Sequence, residues 1–432
     1  MTQRIPCKNE NCAATILPAT AAKTGGICMP CHQEQERQKR QAYIEKHRRT
    51  VNLYENVTNP VEILKIMHSR ITYDPLIQYV PYPLSKEQLY ASLSAEEMVQ
   101  MQEYALHLLE ANNEDEELCR DILASLVCYR NVNIADCLPQ LMEKEMYDPG
   151  VLYKDASPEV RNRILEQVEW DEENRNLMLL ALAWIGDEPI MRKFREWSDN
   201  KPDWAEQMYV SPEYYAREAG WELTLTGNRR DLVHDRSFAV TSFRGMPLSG
   251  EGSIFFVRKN EASCPWCCGP LTTLMDADTH HPALAYLDLT SERLQVNTCM
   301  NCGCYGVIYM EYDAWGQAYW SGVNVIPEYL GDVMPEEYSE GFLPAEPQLT
   351  CSFESRSAYY ASIWEMSQQS SQLGGHPSWV QDAQYPDCPR CGQSMHFIGQ
   401  LDGSDLEAYG EGIYYMFICT EDRMTATTYQ QS

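Results

Sequence analysis

The hydrophobic pattern of the chain changes character twice. From about residue 95 to 220, apolar positions recur at three and four residues. Met98, Met101, Ala105, Leu108 and Leu109 form one run; Leu118, Ile122, Leu123, Leu126 and Val127 form the next. That spacing lays one apolar stripe along a helix. Ser157-Pro158 and Ser211-Pro212 each place a capping hydroxyl before a proline at the first helical position. Asp187-Glu188-Pro189 starts another helix just past a stop at Gly186, so residues 173–198 read as a helix–turn–helix pair. Successive pairs predict a HEAT-like helical stack over residues 96–220, each pair burying its apolar face on its neighbours.

Beyond Trp221 the pattern turns to short β-rich runs, at 222–226, 238–243, 253–257, 307–310 and 317–325, punctuated by Gly, Pro and Asn. Residues 221–432 are therefore expected to form a β-rich domain. Ahead of the stack, residues 33–49 are polar and helix-prone, and 51–95 read as a packed connector broken by Pro60, Pro75, Pro81 and Pro83. The expected class is α+β: a zinc ribbon with a basic helix over residues 1–50, the connector, the helical stack, then a zinc-stabilised β-rich domain.

A chain of 432 residues is too long for one ordinary core, and 44% hydrophobic content with 27 tyrosines excludes wholesale disorder. Net charge is −29, from 34 Lys+Arg against 63 Asp+Glu. A generic DNA-coating protein is excluded, because phosphate affinity comes from neutralising cations. The charge is uneven: residues 1–50 carry +5 and the remainder −34. An acidic body suits a basic protein partner. The basic head could grip RNA or fold back on the body, although no aromatic ladder is interleaved for base stacking. The first residues lack the apolar core of a signal peptide, and the longest apolar run, 177–185, is half a bilayer span. The expected location is cytoplasmic.

Seventeen cysteines change the picture most. Cys264-Pro265-Trp266-Cys267 and Cys299-Met300-Asn301-Cys302 are paired turns with 31 residues between them. Two thiols two residues apart point to one side of a tight turn, and two such turns complete the four-sulfur tetrahedron of structural Zn2+. Cys268 and Cys304 lie close enough to blur the ligand assignment. Cys7, Cys12, Cys28 and Cys31 make a second set with ribbon-like spacing, and Gly25-Gly26 supplies the flexible turn before Cys28. A third set starts at Cys388-Pro389-Arg390-Cys391, but its partner turn reads Cys419-Thr420-Glu421-Asp422. Asp422 is the candidate fourth ligand, with Cys351 and His396 as alternatives. Two zinc sites are thus expected, and a third is possible. Cys119, Cys128 and Cys137 read as buried thiols in helix packing. Asp276, Asp278, His280 and His281 resemble an open metal site, but a polar loop turning at Pro282 explains them too. No phosphate loop, dinucleotide fingerprint, His-Glu-x-x-His or nucleophile elbow is present; Gly250-Glu251-Gly252 is too little for the first.

Several phrases carry a resemblance: Cys264-Pro265-Trp266-Cys267, Cys302-Gly303-Cys304-Tyr305-Gly306, Gly374-Gly375-His376-Pro377-Ser378-Trp379-Val380-Gln381-Asp382, Cys388-Pro389-Arg390-Cys391-Gly392 and Thr427-Thr428-Tyr429-Gln430-Gln431. Over roughly residues 230–432 they resemble the bacterial YwqG-like family, related to the programmed cell death protein 2 domain. The resemblance implies a β-rich binding domain rather than an enzyme. Eukaryotic relatives chaperone a ribosomal protein; bacterial ones are often encoded beside polymorphic toxins and are suspected immunity proteins. Members often end with a second Cys-x-x-Cys, and here its last position is Asp422. The expectation is a non-catalytic protein that neutralises a basic cognate toxin by stoichiometric binding. The alternative is a ribosomal-protein chaperone or RNA-associated factor using residues 1–50. Trp315, Tyr319, Trp320 and Trp379 are candidate interface anchors or core residues.

Overall fold

The structure is a computed structural model that describes residues 4–111, 115–243, 253–328, 348–363, 366, 370–406 and 410–431. Gly250-Glu251-Gly252 lies outside the described residues. The chain is α+β and divides into two compact units, Met1–Leu89 and Tyr90–Ser432.

In the first unit a small hairpin, β1 (Ile5–Pro6) and β2 (Thr15–Ile16), precedes α1 (Pro18–Thr24) and the long α2 (Met29–His47). Gly25 ends α1 in the left-handed conformation that glycine adopts without cost. Cys28 is the N-cap of α2, with Pro30 in its first turn. No residue of α2 is buried, as its polar sequence predicts; Glu34–Arg37 and Glu36–Lys39 pairs lie along it. β3 (Arg49–Val51) pairs in parallel with β4 (Ile77–Tyr79). Between them Asn59 caps α3 (Pro60–His68) by accepting from the backbone N–H groups of Val61 and Glu62. The unit boundary falls in α4 (Lys86–Ser92).

The second unit opens with helices: α5 (Ala95–Ala111), α6 (Glu116–Arg130), α7 (Leu138–Glu143), α8 (Pro158–Gln167), α9 (Arg175–Ile185), α10 (Glu188–Asp199) and α11 (Asp203–Glu206). The predicted starts at Ser157 and Asp187 are observed, each side chain accepting from the backbone three residues on, and left-handed Gly186 closes α9. The start at Ser211 differs. Pro212–Arg217 is a 3-10 turn whose N-cap hydroxyl makes no capping bond.

The strands that follow are β5 (Trp221–Leu223), β6 (Arg229–Asp231), β7 (Arg236–Ser242), β8 (Ile254–Ser263), β9 (Pro270–Asp278), β10 (Arg293–Thr298), β11 (Ile308–Tyr312), β12 (Ala318–Trp320), β13 (Leu349–Ser357), β14 (Gln372–Gly374), β15 (His396–Asp402), β16 (Ile413–Cys419) and β17 (Met424–Gln430); a short α12 (Gly403–Leu406) follows β15. Eight form one antiparallel sheet in the order β12-β11-β17-β16-β15-β14-β7-β13, and β10-β9-β8 form a smaller one. β16 shows why the large sheet is central. Ile413, Tyr415 and Phe417 point into one apolar cluster while Tyr414, Met416 and Ile418 point into another on the opposite face. A strand buried on both faces reads as an unbroken apolar run. The second cluster also holds Met275, Ala277, Leu294 and Val296 of the small sheet, so that cluster is the layer between the two sheets.

Helices and sheet do not part at residue 221, where the sequence pattern places a domain boundary. Trp221 donates its indole N–H to the carbonyl of Ala183 at 2.8 Å and stacks on Phe194. His376 lies between Trp184 and Tyr359, ring centroids 4.8 and 5.0 Å away. The Gly374-Gly375 step is left-handed at both residues; a Cβ on Gly374 would sit 2.5 Å from the Arg236 carbonyl oxygen and one on Gly375 2.7 Å from that of Ala358. Three glutamines hold the segment behind it. Gln372 donates to the Gly374 and His376 carbonyls, Gln400 accepts from the Ser378 N–H, and Gln430 accepts from the Gln381 N–H. Trp379 packs against Tyr385, Tyr415 and Phe417, so it is core rather than an interface anchor.

Candidate metal centres

All twelve predicted ligands come together, in three groups of four: Cys7, Cys12, Cys28, Cys31; Cys264, Cys267, Cys299, Cys302; and Cys388, Cys391, Cys419, Asp422. Within each group the ligand atoms lie within 4.8 Å of one another. The sulfur separations test the fit. Four sulfurs about 2.3 Å from one ion stand about 3.8 Å apart at the corners of a tetrahedron. Cys12–Cys28 is 3.7 Å, Cys264–Cys302 3.9 Å, Cys267–Cys299 3.5 Å and Cys391–Cys419 3.8 Å. A disulfide needs about 2.05 Å, and all of these cysteines are free. The groups could therefore hold metal ions such as zinc.

The first group joins the β1–β2 hairpin to the start of α2. The backbone N–H of Cys28 donates to the Cys7 sulfur at 3.2 Å, and the Asn9 amide donates to the Cys31 sulfur at 3.2 Å. Backbone N–H groups of Asn9 and Cys28 pull the Cys7 thiol down to about 7, favouring the thiolate a metal requires.

The second group is the most enclosed. All four thiols are buried, among Leu271, Ile308 and Met310, with Trp266, Tyr305 and Trp320 packed around them. Two of its ligands lie before β9 and two after β10, so an ion there would clamp the one end of that antiparallel pair where Thr272 faces Thr298. Cys264 is held well below the usual thiol range because the Cys299 and Cys302 thiols donate to it, and Cys302 is pushed up for the same reason. Four sulfurs this close share protons; a dication in their midst replaces those protons.

The two neighbouring thiols are now placed. Cys268 and Cys304 are exposed and outside the ligand group, Cys304 meeting the Asn301 carbonyl. Cys268 adopts φ +59°, the left-handed position that closes the turn, as its N–H returns to the Cys264 carbonyl at 2.8 Å. The third turn repeats this geometry with a glycine: Gly392 has φ +73° and its N–H returns to the Cys388 carbonyl at 2.8 Å.

The third group sits at the tip of the β16–β17 hairpin. Cys388 is buried, Cys391 exposed, Cys419 and Asp422 intermediate. The Cys388 thiol donates to the Asp422 carboxylate at 3.1 Å, which holds that carboxyl below its ordinary range. Of the alternative fourth ligands, Cys351 lies in β13 opposite Val240, and His396 meets the Arg230 guanidinium at 3.0 Å. Spacing did not single out Arg390, inside the Cys-x-x-Cys turn. Its guanidinium donates to the Asp422 carbonyl at 3.3 Å and pairs with Glu311 of β11 at 2.6 Å. β11 thus serves two centres: Ile308 and Met310 line the second, while Glu311 and the Tyr309 hydroxyl, donating to the Asp387 carbonyl, anchor the turn of the third.

Asp276, Asp278, His280 and His281 do not converge. Asp276 pairs with Arg293 at 2.6 Å, Asp278 with His280 at 2.8 Å, and the buried His281 caps the 3-10 turn at Pro282 and packs on Phe353. Cys119, Cys128 and Cys137 are buried in the helical region, and burial pushes Cys119 and Cys128 up to about 12. No described helix is long and apolar enough to cross a membrane.

No family model and no solved structure matches the chain. A search of curated proteins finds a relative along the entire length: the uncharacterized protein YpfL of Salmonella typhimurium (strain LT2), 36% identical over 438 residues, covering 100% of both chains.

Proposed function

The chain belongs to the family of the Salmonella protein YpfL, and from its own residues we propose that it is a cytoplasmic, zinc-stabilised, non-catalytic binding protein. In this reading residues 1–50 are a zinc ribbon with a basic helix, 96–220 a HEAT-like layer, and roughly 230–432 a YwqG-like domain. Its partner is a basic protein, by preference a cognate bacterial toxin that it neutralises one-to-one. One observation carries the reading: each of the three metal-ligand groups among the described residues is a four-ligand set, and such sets leave no coordination position for a substrate. The −34 charge beyond residue 50 supports a basic partner, because opposite charge speeds encounter and rejects wrong partners.

The alternative is a ribosomal-protein chaperone or RNA-associated factor. What favours it is α2, which buries no residue and lies in the +5 segment. An affinity pull-down from native cells, read by mass spectrometry, separates the two. A single stoichiometric toxin-like partner supports immunity. A ribosomal protein, or RNA whose retention falls steeply with salt, supports the alternative. Absence of any protein or RNA at low salt sinks both.

A further inference from the structure

We propose that the Cys388/Cys391/Cys419/Asp422 centre is an exchangeable zinc site, which loads and releases Zn2+ while the two four-cysteine centres keep theirs. The inference rests on reading all three groups as zinc sites and assigns this one a separate behaviour.

Three observations carry it. The ligand set is mixed, three sulfurs and one carboxylate oxygen. Thiolate is the softer donor and holds zinc more strongly, so the carboxylate is the arm that opens first. The access differs as well. Cys391 is exposed and Asp422 only partly covered, whereas every sulfur of the second centre is buried and in the first, where Cys12 and Cys31 are partly covered, no sulfur is fully exposed. A competing ligand in solution can approach the ion from the Cys391–Asp422 side, and exchange by stepwise replacement needs that approach. Finally, protein contacts besides the ion help hold the two turns: Arg390 of one donates to the Asp422 carbonyl of the other at 3.3 Å and is tied to neighbouring β11 by its 2.6 Å pair with Glu311. Glu311 is further held by the Ser321 hydroxyl at 2.9 Å. A site that keeps its ligands gathered after the ion departs can reload without refolding, because the ordering cost is not paid again. Release leaves three thiols and a carboxylate behind, with protons replacing the dication, and no electron transfer is involved.

The test uses the full-length chain reconstituted with Zn2+. Metal content is measured by inductively coupled plasma mass spectrometry, and release to excess EDTA is followed in time. The expected result is three zinc ions per chain, one lost in a fast phase and two retained. Asp422→Cys should slow the fast phase at least tenfold, and Cys391→Ser should lower the content to two and abolish that phase. A common release rate for all three ions overturns the proposal. So does an Asp422→Cys variant that releases as fast as the parent, or a parent that binds two ions in a way Cys391→Ser leaves unchanged. A chain that binds no zinc fails the zinc reading itself, a result distinct from any of these.

Discussion

The second and third metal centres are built on the same turn and differ in what surrounds it. In both, a Cys-x-x-Cys pair is followed by a left-handed residue whose N–H returns to the first cysteine's carbonyl at 2.8 Å. Around Cys264–Cys302 the turn is sunk among Leu271, Ile308, Met310, Trp266 and Trp320. Around Cys388–Asp422 it stands at a hairpin tip, held by a charged pair, Arg390 to Glu311. The difference separates two uses of one motif. The enclosed group lies at the one end of the β9–β10 pair where Thr272 faces Thr298, so on the zinc reading metal binding there would be coupled to folding. The surface centre decorates a sheet whose β15, β16 and β17 are already buried on both faces.

The largest effect expected from this contrast is on folding. Cys299→Ala removes one of four thiolates from the enclosed centre and with it a large share of the roughly 10–16 kcal/mol that a structural zinc supplies. The small sheet should melt, and the apolar layer between Met275, Val296, Met416 and Ile418 should open with it. Cys391→Ala at the surface centre should cost much less, only the linkage energy of one exchangeable ion, because the strands beneath it are packed on both faces. Thermal unfolding of the two variants side by side checks this. Equal transitions would show that the two surroundings do not matter.

The cysteine turns were legible because their chemistry is local. A spacing of two to four residues brings two ligands together whatever the rest of the chain does, so the grouping of the twelve follows largely from order along the sequence. The helix starts at Ser157 and Asp187 are local as well. What the pattern could not carry is non-local. Arg390 looks like filler within Cys-Pro-Arg-Cys, and its partner Glu311 is far away along the chain. The break in texture at Trp221 marks a change from helix to strand, but the Trp221 indole is spent on Ala183 in α9, so helices and sheet share one unit. Ser211-Pro212 carries a good start signal, yet the segment closes at left-handed Gly220 after a single 3-10 stretch.

A second, smaller effect bears on the segment that enters the surface turn. Glu218 is largely but not fully buried and accepts the Ala383 N–H at 2.6 Å, five residues before Cys388. Burial, with Asp382 adding repulsion, pushes its carboxyl from 4.5 up to about 7. The folded chain therefore holds a proton that the unfolded chain releases between pH 4.5 and about 7, and stability falls as pH rises through that window. Glu218→Gln keeps an acceptor for Ala383 and removes the titration. It should be about 3 kcal/mol more stable than the parent at pH 8, with the gain gone by pH 4. A stability difference independent of pH would mean that Glu218 does not titrate in this window.

The smallest effect isolates the turn from its surroundings. The left-handed position is Gly392 in one centre and Cys268 in the other. A side chain there costs roughly 1–2 kcal/mol that glycine avoids, partly offset by the greater freedom glycine has in the unfolded chain. Cys268 is exposed and outside the ligand group, so Cys268→Gly should leave the zinc content unchanged and raise stability by about 1 kcal/mol or slightly less. Urea unfolding with metal analysis reads both quantities. Loss of one zinc ion would instead make Cys268 a ligand and break the equivalence of the two turns. A gain with full metal content would show that the turns are interchangeable, and that burial and the fourth ligand alone set the two centres apart.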